Sequence, residues 1–361
     1  MPDEKSVSVA DCTLRDGSHA LDHRYTPDQV RAIASGLDAA GIETVEVGHG
    51  DGLAGSSIEF GESAFSDTEL LAAAAEGLKR ANLAVSVQPG IGTQDDMRAA
   101  HAVGANVFKV ATHCTEADIA IQHLGLAREL GGRAYGGLMM THMTTPTALA
   151  EQAAIMADSG AEAVYVADSA GAMTMDAMRA RVAAVRNRLE PDVAVAVHAH
   201  NNLGLAVANT LVGVEEGATI VDACLAGFGA GAGNCHLEAI VAVLHRMGYS
   251  TGVDLWKAQD VTEEHVRPLM PGPMGIDRDS LVLGFTGIYS SFLLHTRRAA
   301  ARFGVDSRDI LLGLMEYRVV AGQEDLVIEV AARLARQSSP SSTAADTMPA
   351  PVASDQVPRH S

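Results

Sequence analysis

The hydrophobic positions of the chain repeat one unit: a short β-branched run, a turn, then an alanine-rich stretch with helical apolar spacing. Eight such runs read as strands, at 7–12, 43–47, 84–88, 107–111, 134–139, 164–168, 193–198 and 219–224. Helix-like segments lie near 27–40, 66–81, 94–103, 116–131, 146–159, 174–189, 203–216 and 235–247. Thr26-Pro27 and Thr145-Pro146 each place a cap residue before proline at the first helical position. Ala40-Gly41, Ser159-Gly160 and Glu216-Gly217 close helices with the residue that best tolerates a left-handed turn. Eight alternating βα units over roughly 240 residues match the size and count of a closed (β/α)8 TIM barrel. An open doubly wound sheet is the alternative, and the count of eight favours closure.

Composition narrows the classes. With 361 residues, 47% hydrophobic and 20% charged, the chain can bury one large core or two ordinary ones. No apolar run approaches the ~18 residues of a membrane span, and the start Met-Pro-Asp-Glu-Lys lacks the basic and apolar regions of a signal peptide, so a cytoplasmic location is expected. Cys12, Cys114, Cys224 and Cys235 are widely spaced without a C-x-x-C, which argues for reduced packing residues. A net charge of -19 disfavours nucleic acid. An anionic substrate then needs local positive charge, from a metal and a well-placed arginine.

In a (β/α)8 barrel the catalytic residues sit where strands end and βα loops begin. After strand seven, His198 and His200 fall on one face, roughly 7 Å apart along the backbone, so their imidazoles can converge on one ion. The alternative is one histidine packed in the core and the other capping the next helix. After strand one comes Asp11-Cys12-Thr13-Leu14-Arg15-Asp16-Gly17-Ser18-His19, and after strand six Asp168-Ser169-Ala170-Gly171. Strands one and seven flank strand eight, so Asp16 can reach the ion that His198 and His200 would hold. Two imidazoles and one carboxylate leave coordination positions open, the arrangement of a catalytic metal. A divalent cation such as Mn²⁺, Co²⁺, Mg²⁺ or Zn²⁺ fits, and this ligand set does not choose among them. His113, His142 and His236 stand alone and read as packing or loop hydrogen-bonding residues.

The stretches T-L-R-D-G at 13–17, H-A-H-N-N-L-G at 198–204 and G-A-G-N at 231–234 resemble the metal-dependent lyase and synthase barrels that include isopropylmalate synthase and hydroxymethylglutaryl-CoA lyase. Within that group, D-G-S-H-A at 16–20 is similar to the pyruvate-forming 4-hydroxy-2-oxovalerate aldolases of aromatic-ring and steroid degradation. The Claisen-type, CoA-dependent synthases usually carry Glu-Gln where this chain has Ser18-His19, and they form the alternative reading. The resemblance implies Asp16, His198 and His200 as metal ligands, Arg15 as stabiliser of a pyruvate enolate and His19 as the proton-transfer residue. It also implies Arg15, Ser169, His198 and Tyr289 around the substrate, with Asn234 near the metal. The glycine-rich segment 227–234 could cradle phosphate, but no G-K-[ST] follows and its glycines better serve close backbone approach.

Beyond the barrel, expected over 1–265, a proline-rich break at 268–273 precedes segments 281–301, 307–317 and 324–335 with helical apolar spacing. The resemblance implies that this helical region, 275–336, docks an acylating aldehyde dehydrogenase and supplies Tyr289 to the site. From 337 to 361 the chain becomes Ser/Pro/Thr/Ala-rich and reads as a disordered tail.

Overall fold

Eight parallel strands, β1 (Ser8–Asp11), β2 (Thr44–Glu46), β3 (Asn82–Val87), β4 (Val107–His113), β5 (Arg133–Met139), β6 (Ala163–Asp168), β7 (Ala194–Ala199) and β8 (Ile220–Ala223), hydrogen-bond in chain order in the computed structural model. Pairing of Ser8–Asp11 with Ile220–Ala223 closes the sheet into a barrel. The structure describes residues 5–320 and 322–337. The tail expected from 337 lies, beyond its first residue, outside them.

Helices pack around the strands because their apolar faces need cover. Ile33, Leu37, Leu71, Leu124 and Ile240 lie fully buried in this shell with the strand residue Phe108. Each contributes ~1.5–3 kcal/mol by leaving water. The caps read from sequence form as expected: the side chains of Thr26 and Thr145 accept the backbone N–H groups of Gln29 and Ala148. Inside the barrel, Ala84, Val107, Tyr135, Ala163, Tyr165, Ala196 and Ile220 form an apolar floor. Side chains one or two pleats above that floor face an open mouth, which is where chemistry can occur.

Three departures from the sequence expectations have local causes. The helix expected over 281–301 is two helices, Arg278–Thr286 and Phe292–Phe303. Gly287, at φ 73°, ends the first in the left-handed region, and His142 Nε2 donates to its carbonyl at 3.0 Å. Leu255–Val261 is an additional helix capped by Asp254, too short to announce itself by periodicity. Gly17–Ala20 forms a single helical turn directly after Asp16.

The helices after residue 277 have their own small core, built from residues such as Leu283, Phe292, Ile310, Leu314, Val327 and Val330, which also takes in Met140 and Ala170 from the barrel loops. Ser290 bridges the two parts: its hydroxyl donates to the Ser169 carbonyl and accepts from Asn202 Nδ2, both at 2.9 Å. All four cysteines are buried and free. No helix among the described residues is long and apolar enough to cross a membrane.

Candidate metal centre and substrate cavity

Asp16, His198 and His200 meet at the mouth of the barrel. His198 and His200 reach it from the end of β7, their side chains two residues apart on the inward face. Their Nε2 atoms are 3.3 Å apart, and Asp16 Oδ2 lies 3.4 Å from the first and 3.8 Å from the second. All three side chains are buried. Asp16 is held in place by the Ala230 N–H, which donates to Oδ1 at 3.0 Å. Gly229 is required beside it: a Cβ there would sit 1.7 Å from Asn234 Oδ1 and 3.0 Å from Asp16 Oδ1. Asn234 Nδ2 lies 3.2 Å from His198 Nε2, and its buried Oδ1 has no hydrogen-bond partner.

Two imidazole nitrogens facing each other at 3.3 Å must share a proton or a cation. Burial opposes charging either ring, but hydrogen bonds to Asp16 and Asp222 outweigh it at His198, whose pKa rises to about 9. Burial takes His200 down to about 4. His198 rather than His200 therefore carries the added proton near neutral pH, and the Asp16 carboxylate offsets its charge. His198 Nδ1 donates to Asp222 Oδ2 at 3.0 Å, so a cation that replaces the shared proton finds the Nε2 lone pair already aimed at it. The residues present thus fit a divalent metal ion.

Around this cluster runs a closed ring of alternating charge. Asp16 pairs with Arg15 Nη1 at 2.8 Å, and Arg15 Nε pairs with Glu46 at 2.9 Å. Glu46 pairs with Lys109 at 2.9 Å, Lys109 with Asp222 at 2.9 Å, and Asp222 returns to His198. Burial alone would raise the Asp16 and Glu46 carboxyls, yet the Arg15 guanidinium between them holds both well below the usual carboxylate range. The Lys109 ammonium also stands 4.6 Å over the Tyr165 ring, at the apolar floor.

Sequence reading missed Glu46, Lys109 and Asp222. The signal was present: Glu46 lies between Val45 and Val47, Lys109 between Phe108 and Val110 and Asp222 between Val221 and Ala223, and a charge at such a strand position must be paired when buried. His113, His142 and His236 behave as expected, for example through His113 Nδ1 to Thr115 at 2.8 Å.

Arg15, His198, His200, Ser169 and Tyr289 line one central cavity with Glu46, Lys109 and Asp222. Ser169 Oγ accepts the Met140 N–H at 3.0 Å, leaving its own proton to donate. Tyr289, in the segment between the two C-terminal helices, has its phenol pKa raised by burial and stays protonated. His19 does not line this cavity. It lines a neighbouring, wider one, packed so closely over Gly50 that a Cβ on that glycine would lie 2.4 Å from its Nε2.

Comparison with known proteins agrees with this architecture. Residues 6–264 match the HMGL-like family model, and residues 274–336 match the DmpG-like communication domain. A protein of Carboxydothermus hydrogenoformans is 52% identical over 332 residues, covering 92% of this chain and 98% of its own. One of Geobacillus stearothermophilus is 49% identical over 341 residues, covering 94% and 99%. Both bear the name 4-hydroxy-2-oxovalerate aldolase. Among solved structures, the carboxyl transferase domain of Rhizobium etli pyruvate carboxylase with 3-bromopyruvate superposes with a TM-score of 0.79 at 19% identity, over 93% of this chain and 61% of that one, a likeness of fold alone. Identity near one half along almost the whole length of such relatives, on an HMGL-like barrel, means that this chain belongs to the family of 4-hydroxy-2-oxovalerate aldolases, which are lyases.

Proposed function

We propose that the protein cleaves 4-hydroxy-2-oxo acids, 4-hydroxy-2-oxovalerate or a near homologue such as 4-hydroxy-2-oxohexanoate, to pyruvate and a short aldehyde, using a divalent cation held by Asp16, His198 and His200. The observation that carries this reading is the convergence of those three donors beside Arg15, at the edge of the cavity that Arg15, His198 and His200 line. When bound, the cation supplies Lewis acidity toward the 2-oxo and carboxylate oxygens of the substrate. Mn²⁺ suits a site of two imidazoles, one carboxylate and substrate oxygens.

The remaining roles belong to the chain's own residues. Arg15 commits Nε and Nη1 to Glu46 and Asp16, which leaves Nη2 to meet negative charge developing at the C2 oxygen. Ser169 donates to the substrate carboxylate, and Tyr289 closes the cavity with a protonated phenol. His19 takes the proton of the 4-hydroxyl from the neighbouring cavity, through a water. The C3–C4 bond then breaks, its electron pair passes to the pyruvate enolate, the aldehyde leaves, and protonation of C3 completes pyruvate.

The barrel, 1–265, and the helical segment, 275–336, divide the labour. The match to a communication domain supports a docking role for the segment, with an acylating aldehyde dehydrogenase as partner that receives the aldehyde. Catabolism of aromatic rings or steroids in the cytoplasm is the context. Exhaustive chelation followed by return of Mn²⁺, Co²⁺, Mg²⁺ or Zn²⁺, with pyruvate followed through lactate dehydrogenase and NADH, tests the core of the reading. Activity should vanish and return with the metal, without CoA. Full activity after chelation refutes metal dependence, and a requirement for CoA would favour the Claisen reading.

A further inference from the structure

The wall between the central cavity and its neighbour carries a second set of donors. His19, His23 and Asp51 each offer a ligand atom, and these atoms lie within 4.8 Å of one another. None belongs to the Asp16, His198, His200 cluster. His23 is buried, its ring stacked on His49 at 3.7 Å between centroids and set edge-on to His19 at 5.2 Å. Its Nδ1 is 3.2 Å from Ser18 Oγ, which fixes the ring. Burial, reinforced by the imidazoles of His19 and His49, takes the His23 pKa down to about 2, so this ring is neutral, and it coordinates once a cation displaces a present partner such as the Gly50 N–H, which donates to Nδ1 at 3.4 Å.

An independent observation points into the same cavity. Glu324 lines it from the C-terminal segment, is only 6% exposed, and its Oε2 has no hydrogen-bond partner. Burial, with the charges of Asp51 and Glu59 adding to it, raises this carboxyl to about 7. A buried carboxyl with one oxygen unpartnered, lining the same cavity as two imidazoles and a second carboxylate, is a group that a cation there would satisfy.

We infer that His19, His23 and Asp51, with Glu324 supplying counter-charge, form a second divalent-cation site, suited to a borderline-soft ion such as Zn²⁺. Occupation uses the His19 imidazole as a ligand and withdraws it from proton transfer, so the ion inhibits. The inhibitory half rests on the proposed role of His19; the binding half does not.

The test titrates Zn²⁺ into protein saturated with Mn²⁺, reading free Mn²⁺ by its paramagnetic resonance, bound Zn²⁺ by metal analysis and pyruvate release in parallel. The expected result is one Zn²⁺ taken up per chain, no Mn²⁺ released, and activity falling in step. Asp51→Asn and Glu324→Gln should each weaken Zn²⁺ uptake at least tenfold while retaining Mn²⁺, which also shows that the variants fold. If either is unfolded, His19→Ala, at a half-buried position, gives the same binding readout. Release of one Mn²⁺ for each Zn²⁺ bound, or equal Zn²⁺ uptake by all three variants, overturns the second site. Zn²⁺ uptake without inhibition leaves the site standing and overturns the role given to His19.

Discussion

Replacing Asp222 with asparagine isolates orientation from ligation at the candidate metal centre. The side chain keeps its volume and one acceptor oxygen but loses its charge, so of the bonds from His198 Nδ1 at 3.0 Å and Lys109 Nζ at 2.9 and 3.0 Å only those reaching the remaining oxygen persist, without charge assistance. Residues that orient a ligating imidazole typically contribute ~10–100-fold to metal affinity. That factor corresponds to ~1.4–2.7 kcal/mol. Lys109 keeps its bond to Glu46 at 2.9 Å, so the fold should lose only ~1–3 kcal/mol. Asp222→Leu, which removes all acceptors, should cost ~3–5 kcal/mol as a broken buried pair. The assay measures Mn²⁺ affinity by paramagnetic resonance and pyruvate release as Mn²⁺ is raised. For Asp222→Asn the activity curve should shift to higher metal concentration and recover most of its plateau. Unchanged affinity with a collapsed plateau would mean that Asp222 takes part in chemistry, and the orientation argument would be wrong.

Other substitutions probe the remaining geometry. Arg15→Lys keeps the charge but not the fork that spans Asp16 and Glu46, so kcat should fall by ~100-fold or more with a smaller change in KM; unaltered kcat would give Arg15 a structural role only. Gly229→Ala drives a methyl into Asn234 Oδ1 and Asp16 Oδ1 and should lower both metal affinity and stability, the latter by ~1–3 kcal/mol; calorimetry and metal titration unchanged from the parent would contradict the close approach. His142 is held neutral, its pKa lowered from 6.5 to about 4, chiefly by burial. A depressed histidine leaves stability intact above 6.5 and removes it as pH falls through that value toward 4, because the unfolded chain takes up the proton first. At pH 5 the loss should be about 1 kcal/mol, allowing for partial exposure of the ring. Urea midpoints at pH 7 and pH 5 should differ less for His142→Gln than for the parent, and an equal difference would remove His142 from the acid response.

Much of the fold was legible because its signal is local and repeated. Each of the eight strands falls within two residues of an apolar run, since a parallel strand covered on both faces has no other way to be written. The pair His198 and His200 was legible for the same reason, period two along a strand. What escaped depends on distant partners. Glu46, Lys109 and Asp222 sit on three strands and make sense only once the barrel has closed and brought them together. Lys109 in particular looks like an accident in Val107–His113 until its two carboxylates are seen. The break at Gly287 escaped because the apolar period runs on across it; the reason for the break, the bond from His142, lies 145 residues away. His19 was found by its neighbours in sequence, whereas its place in the second cavity follows from packing over Gly50.

The ring from Asp16 round to His198 also sets an electroneutrality condition. Three carboxylates against Arg15 and Lys109, with His198 neutral, leave the ring one unit negative. A dication held there would turn that to one unit positive, and a single carboxylate would then bring the ring's own sum to zero, Asp51 in the cavity wall lying outside the ring. A 2-oxo monoacid therefore completes the balance, while a dicarboxylate overshoots it inside a region with little water to screen the excess. Acceptance of one anionic charge and refusal of two would follow from this sum before any question of shape, and would hold for aldehydes of any length at the far end of the substrate.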